Sequence, residues 1–145
     1  MILFSAELEF KDNKKRIMNN LIIDAANEKI FLMLIMNKNI YSVSHENSKT
    51  NYEKLIMLIN DFLLDYNIKI DQISKLYVNS GPGSFAGIRN SLAVVKAIYL
   101  AKNIDYYCFS FDDFDNLNNS KYENIPDLCD KLKIKKNLIN PIYLS

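Results

Sequence analysis

The stretch KLYVNSGPGSFAGIRN, residues 75–90, decides how the chain is organised, because it passes from a strand through a glycine-rich corner into a helix. Lys75 to Ser80 is a short apolar run closed by a turn signal, the pattern of a buried strand. All three glycines of the 145-residue chain, Gly81, Gly83 and Gly87, fall within the seven residues that follow. Glycine is needed where the backbone takes a positive φ or where another group approaches closely, and Pro82 stiffens the turn between two such positions. Ser84 is placed to cap a helix running from about Ser84 to Lys102. Gly83 and Gly87 are therefore expected to be structural, with at least one of them in a conformation costly for other residues.

Upstream, LIIDAA (21–26), KIFLMLIM (29–36) and IYSVSH (40–45) are bounded, β-branched-rich runs separated by turn signals, which predicts an antiparallel meander. Thr50 with Glu53 three residues on forms a capping-box pattern, and helical periodicity runs over 51–66. Downstream, DYYCFSF (105–111) reads as a fifth strand. The last two strands follow helices, so they can run parallel, and the expected fold is α/β with a mixed five-stranded sheet and two main helices. Beyond Phe111 the pattern weakens to a short helix near 126–133 and a closing PIYLS. The expected division is a lead-in over 1–19, disordered or an over-long start before Met18, a folded lobe over 20–111, and a short tail over 112–145.

A hydrophobic share of 49% with 24% charged residues is that of a folded globular chain, and a net charge of +1 supplies no field to draw it onto nucleic acid or an anionic membrane. No apolar run approaches the roughly 20 residues that cross a bilayer. Cys108 and Cys129 lack CxxC spacing and read as reduced, partly buried thiols, which favours a cytoplasmic location. His45 is the sole histidine and has no partner at metal-ligand spacing, so neither a metal nor a cofactor is expected. Asp112, Asp113 and Asp115 could hold a hard cation, but charge placement at a helix N-terminus explains them more simply. The Lys14-Lys15-Arg16 group and the lysines at 131, 133, 135 and 136 lack interleaved aromatics and read as solvated faces.

On a helical wheel the second predicted helix is apolar over about three quarters of its circumference, far more than the stripe of somewhat over 100° that one sheet face requires. Its polar positions Arg89, Lys96 and Asn103 recur every seven residues as one narrow stripe. Ile88, Leu92, Val95 and Tyr99 line one side, and Ala86, Ala93, Ala97 and Ala101 lie opposite. On the first predicted helix Leu55, Ile56, Leu58, Ile59, Phe62 and Leu63 form a core face, and Met57 and Leu64 form a separate ridge. The two helices thus have surplus apolar surface suited to another helix pair. The candidate partner-interface residues are Met57, Leu64, Ile88, Leu92, Ala93, Val95, Ala97 and Tyr99, with the partner-facing side of the second helix left open.

A strand-to-helix corner can hold phosphate on free amides. Here a P-loop would require GK[ST] where Ala86-Gly87-Ile88 stands, and a dinucleotide fingerprint would require GxGxxG after the first strand, whereas GxGxxxG follows the fourth. A tight corner without ligand is the third reading.

The run Ser80-Gly81-Pro82-Gly83-Ser84-Phe85-Ala86-Gly87-Ile88-Arg89 resembles the SGPGSFTGLR segment of the TsaB (YeaZ) family. LIIDAA resembles the family's opening ILAIDTS strand, CFSFDDF its ISTLEAL segment, and Pro141-Ile142-Tyr143-Leu144 its PxYLR motif. The resemblance covers about residues 20–118 and the last few. It implies an actin-like, Hsp70-like (ASKHA, RNase H-like) half fold with the second lobe largely absent. It also implies a non-catalytic subunit in the formation of N6-threonylcarbamoyladenosine at position 37 of tRNA. Its implied partners are TsaD, which carries the metal and the transfer chemistry, with TsaE as a further candidate; tRNA would be met only indirectly. By the same resemblance Gly81, Pro82, Gly83, Ser84, Phe85, Gly87 and Arg89 form a structural turn motif. Asp24 ends the first strand as the phosphate-coordinating Asp of actin-like kinases does, but catalytic use would need a second lobe to close over it. The rival readings are a small nucleotide-dependent transferase or peptidase using the glycine turn, and a self-associating homodimer.

Overall fold

The computed structural model describes residues 18–114 and 121–143; the lead-in through Ile17 and Asp115 lie outside them. Runs of β-branched and leucine side chains pair as five strands: β1 (Asn19–Asp24), β2 (Lys29–Met36), β3 (Asn39–Glu46), β4 (Lys75–Asn79) and β5 (Asp105–Phe109). Their order is β3-β2-β1-β4-β5. The first three form the antiparallel meander, and β4 and β5 run parallel to β1, as the helical crossovers require.

Strand alternation divides the core between the two sheet faces. On one face Leu21, Ile23, Leu32, Leu34, Leu76 and Val78 meet the helices α1 (Lys49–Glu53), α2 (Leu55–Leu64) and α3 (Phe85–Lys102). On the other, Ile22, Tyr77 and Phe109 meet Phe114 and, from α4 (Ile125–Lys131), Ile125, Leu128 and Cys129. Phe114 and α4 therefore cover part of the second face of the sheet and share a core with Ile22, Tyr77 and Phe109.

The first predicted helix differs from expectation in two ways. Its N-cap is Ser48, whose hydroxyl accepts from the Asn51 amide at 3.2 Å, and not Thr50, which lies inside α1. It also breaks at Lys54 (φ −109°, ψ 26°) into α1 and α2, a bend that no Gly or Pro announces. The cap of α3 is as expected: Ser84 precedes it and accepts from the Gly87 amide at 3.3 Å. Asn103 ends the helix in the left-handed conformation (φ 57°), which Asn tolerates better than most residues.

Candidate functional site

The glycine corner is packed by protein on both sides. The φ of +112° belongs to Gly81, so the expectation of a costly conformation at Gly83 or Gly87 is corrected: those two are glycine for closeness. A Cβ on Gly87 would stand 1.7 Å from the Ala25 carbonyl oxygen, and one on Gly83 would stand 2.3 Å from that of Ala26. The Ser84 amide donates to the Ala26 carbonyl at 2.9 Å, which ties the corner to the β1–β2 turn. On the other side the Ile142 amide donates to the Ser80 carbonyl at 2.7 Å, and a Cβ on Gly81 would meet the Ile142 carbonyl oxygen at 2.0 Å. Phe85 and Tyr143 place their rings 4.7 Å apart, and the Arg89 guanidinium lies 5.5 Å from the Phe85 ring. The motif residues Gly81 to Arg89 thus join two distant chain segments.

Asp24, buried at the end of β1, is also served from within the chain. Its carboxylate accepts from the Ala26 amide at 3.0 Å, from the Asn27 side-chain amide at 3.2 Å and from the Tyr122 hydroxyl at 2.5 Å. Tyr122 comes from the tail and rests its ring 4.3 Å from that of Phe31. Burial, then the neighbouring Asp24 charge, raises the Tyr122 pKa above its ordinary value, so the hydroxyl stays a donor. Among the described residues no group of three His, Cys, Asp or Glu side chains could hold a metal. Burial likewise raises the Cys108 thiol to about 11 and the Cys129 thiol to about 12, far from reactive thiolate character.

The outer helix face is different in kind. Ile88, Leu92 and Val95 are buried against the sheet with Ser91 and Ile98, so the sheet takes the branched side of α3 and these three are core residues, not partner contacts. Tyr99 is half-buried, edge-on to Tyr106 at 5.8 Å, and also belongs to the core's margin. Ala93 and Ala97 are exposed on the opposite side. Ile56, expected in the core, is exposed instead and joins Asn60 and Leu64 on the wall of a groove between α2 and α3. Ala97 and Ala101 form its other wall, its volume is about 590 Å³, and a Lys102–Asp71 ion pair at 2.9 Å stands at one end. Ile56 and Ala97 also line a second hollow of about 290 Å³ with Ala93 and Val94, so the depression continues along the helix pair. Leu64 is 57% exposed, Leu100 71%, and Met57, beside the groove without lining it, 60%. The signal for Ile56 was its position four residues before Asn60 and eight before Leu64, one stripe down the helix.

This sheet order, with a glycine corner after the fourth strand and α1 to α3 layered on one face, is an ASKHA-like fold, shared with solved YeaZ structures. YeaZ from Pseudomonas aeruginosa superposes on it with a TM-score of 0.60 at 19% identity, over 64% of this chain and 44% of that one. A second solved structure, described as an uncharacterized protein with similarity to peptidase YeaZ from Pseudomonas aeruginosa, gives the same TM-score of 0.60 at 19% identity, over 64% and 43%. In sequence, the tRNA threonylcarbamoyladenosine biosynthesis protein TsaB of Buchnera aphidicola subsp. Baizongia pistaciae is 31% identical over 45% of this chain and 34% of its own length. TsaB of Buchnera aphidicola subsp. Schizaphis graminum is 27% identical over 62% of this chain and 43% of its own. No family model matches the sequence. Together these likenesses support assignment of the chain to the TsaB/YeaZ family. The chain spans less than half the length of the curated relatives it matches.

Proposed function

We propose that the chain is a non-catalytic partner subunit in the formation of N6-threonylcarbamoyladenosine on tRNA, acting in the cytoplasm and pairing with TsaD through the outer face of α2 and α3. The curated relatives, both named as tRNA threonylcarbamoyladenosine biosynthesis proteins, support the pathway. One observation supports the pairing surface: the apolar groove between Leu64 and Ile56 on one wall and Ala97 and Ala101 on the other, which two facing helices of a partner would fill. Small residues let helix backbones approach closely, and the exposed Leu64 and Leu100 supply area to bury.

A non-catalytic role agrees with the state of Asp24 and the glycine corner, whose polar groups are spent on protein contacts. TsaE is a candidate third component and tRNA would be met through the partners. The test is co-purification of the chain with TsaD of the same organism, with modified adenosine measured in tRNA of cells lacking the chain. Loss of the modification without the chain, restored by the wild type and not by an Ala97→Glu variant, is the expected result. Micromolar ATP affinity of the isolated chain by calorimetry would favour the enzyme reading instead.

A further inference from the structure

The two edges of the sheet are finished differently. Along β5 the tail takes the outward groups of Tyr106: its carbonyl accepts from the Asn137 amide at 2.7 Å and its amide donates to the Asn137 side chain at 2.9 Å. Along β3 no strand among the described residues pairs with the outer edge. The Glu46 carbonyl is already taken, by the Ser48 amide at 3.1 Å and the Asn51 side-chain amide at 2.7 Å, so the free stretch is Ile40 to His45. Proteins usually defend such an edge with Pro, a bulge or a charge in mid-strand. Here the register with β2 is unbroken and Ile40 to Ser44 carry no charge. On the helix-covered face Tyr41 and Val43 are only half-buried, and the Tyr41 ring stacks on Tyr66 at 3.9 Å at the margin of the core.

The chain itself holds a strand suited to this edge. In the lead-in, Ile2, Phe4, Ala6, Leu8 and Phe10 alternate with residues that are polar from Ser5 onward, namely Ser5, Glu7, Glu9 and Lys11. That is the period-2 pattern of a strand with one buried face. Its point of entry is fixed by the Asn19 amide, which donates to the Ser74 hydroxyl at 3.0 Å. Asn19 lies opposite Met36 and Met36 opposite Asn39, so the lead-in joins the sheet at the end where β3 begins. The position outside β3 is three strand spacings from β1, about 14 Å, and the chain from Phe10 to Asn19 can reach about 30 Å. A segment running toward that end of the sheet runs opposite to β3.

From this we infer that the lead-in segment around Ala6 to Phe10 docks on the β3 edge as an antiparallel sixth strand. Its even-numbered residues are apolar, and the odd-numbered residues of β3 face the helices. One register puts both large side chains on the half-buried pair: Phe10 opposite Tyr41, Leu8 opposite Val43 and Ala6 opposite His45. Aromatic and β-branched cross-strand pairs of this kind stabilise sheets. Glu7 and Glu9 then lie beside Ser44 and Ser42 on the other face, and the new outer strand carries in its middle the charges that β3 lacks, which discourages further pairing.

Nuclear magnetic resonance of the full chain, mixed from two differently labelled preparations, tests this, and neither the contact nor its test depends on the partner proposed above. Side-chain contacts of Phe10 with Tyr41 and of Leu8 with Val43 are expected within single chains at every concentration. The outward amides of β3 should exchange about tenfold more slowly than in a variant carrying Leu8→Asp and Phe10→Asp, whose changes lie outside the described fold. Glu7→Ala and Glu9→Ala should leave both the contacts and the protection in place. Absence of the wild-type contacts overturns the inference whatever the variants do, as does equal exchange in the wild type and the double variant. Contacts found only between copies, or made by Leu8 and Phe10 with Leu64 and Ala97 in the groove, overturn it as well.

Discussion

The two sides of α3 carry similar apolar content and opposite exposure. Ile88, Leu92, Val95 and Ile98 lie against the sheet, while Ala93, Ala97 and Ala101 face outward along the two hollows and Leu100 is exposed. Packing explains the choice. Branched side chains fill the space above a twisted sheet, and alanines there would leave cavities whose walls lose contact with partner atoms. The alanine side offers little volume but a smooth surface on which another helix can lie close. Hydrophobicity alone therefore does not tell the buried side of α3 from the exposed one; side-chain volume does.

The largest effect is expected on the sheet side. Val95→Glu places a carboxylate at a position with 0% exposure within the apolar core cluster, at a cost of about 4 kcal/mol against a typical total of about 5–15. The variant should lack a cooperative thermal transition by circular dichroism. Next, Gly87→Ala drives a methyl into the Ala25 carbonyl at the N-terminal end of the same helix, and should cost about 3 kcal/mol in urea denaturation. Gly83→Ala meets Ala26 similarly, and equal loss at both positions would mean that the β1–β2 turn is the rigid partner.

A smaller effect belongs to the contact between tail and lobe. Tyr122→Phe removes one donor from the buried Asp24 carboxylate and should cost about 2 kcal/mol. It also changes the alkaline limb of stability. Tyr122 has a folded pKa above its value of 10.0 when unfolded, so its contribution is complete below pH 10 and is lost as pH rises through the folded value. Cys108 and Cys129, raised from 9.0 to about 11 and about 12, start the same decline from about pH 9. Thermal melts between pH 8 and pH 11 should show a falling midpoint in the wild type and a shallower fall above about pH 10 in Tyr122→Phe.

Much of this architecture is legible in the residues. The strands are marked by bounded β-branched runs, and β2 matches its predicted limits, Lys29 to Met36. Ser84 announces its own cap, and the concentration of glycines announces the corner. What could not be read is whatever depends on distant segments. Gly83 and Gly87 are fixed by carbonyls of Ala25 and Ala26, far upstream, so the sequence near the corner suggested a φ requirement where a contact requirement holds. The tail faded from view for a related reason. Ile125, Leu128 and Cys129 have the spacing of a buried helix face, but seven residues are too short for periodicity to stand out. The side of α3 that meets the sheet was undetermined because a wheel shows direction without showing depth.

The smallest expected effect on stability is the most informative for function. Ala97→Glu lies on the outer wall of the groove and should change folding free energy by no more than about 0.5 kcal/mol. Placed at the centre of a dry helix-pair contact, the same charge should abolish association. The direct measurement is therefore quantitative co-purification of Ala97→Glu with TsaD of the same organism, beside a thermal melt of the variant. A wild-type melting curve with no TsaD retained is expected. A folded Ala97→Glu protein that still binds TsaD as the wild type does would rule out pairing through this groove, because that side of α3 would then face solvent in the complex.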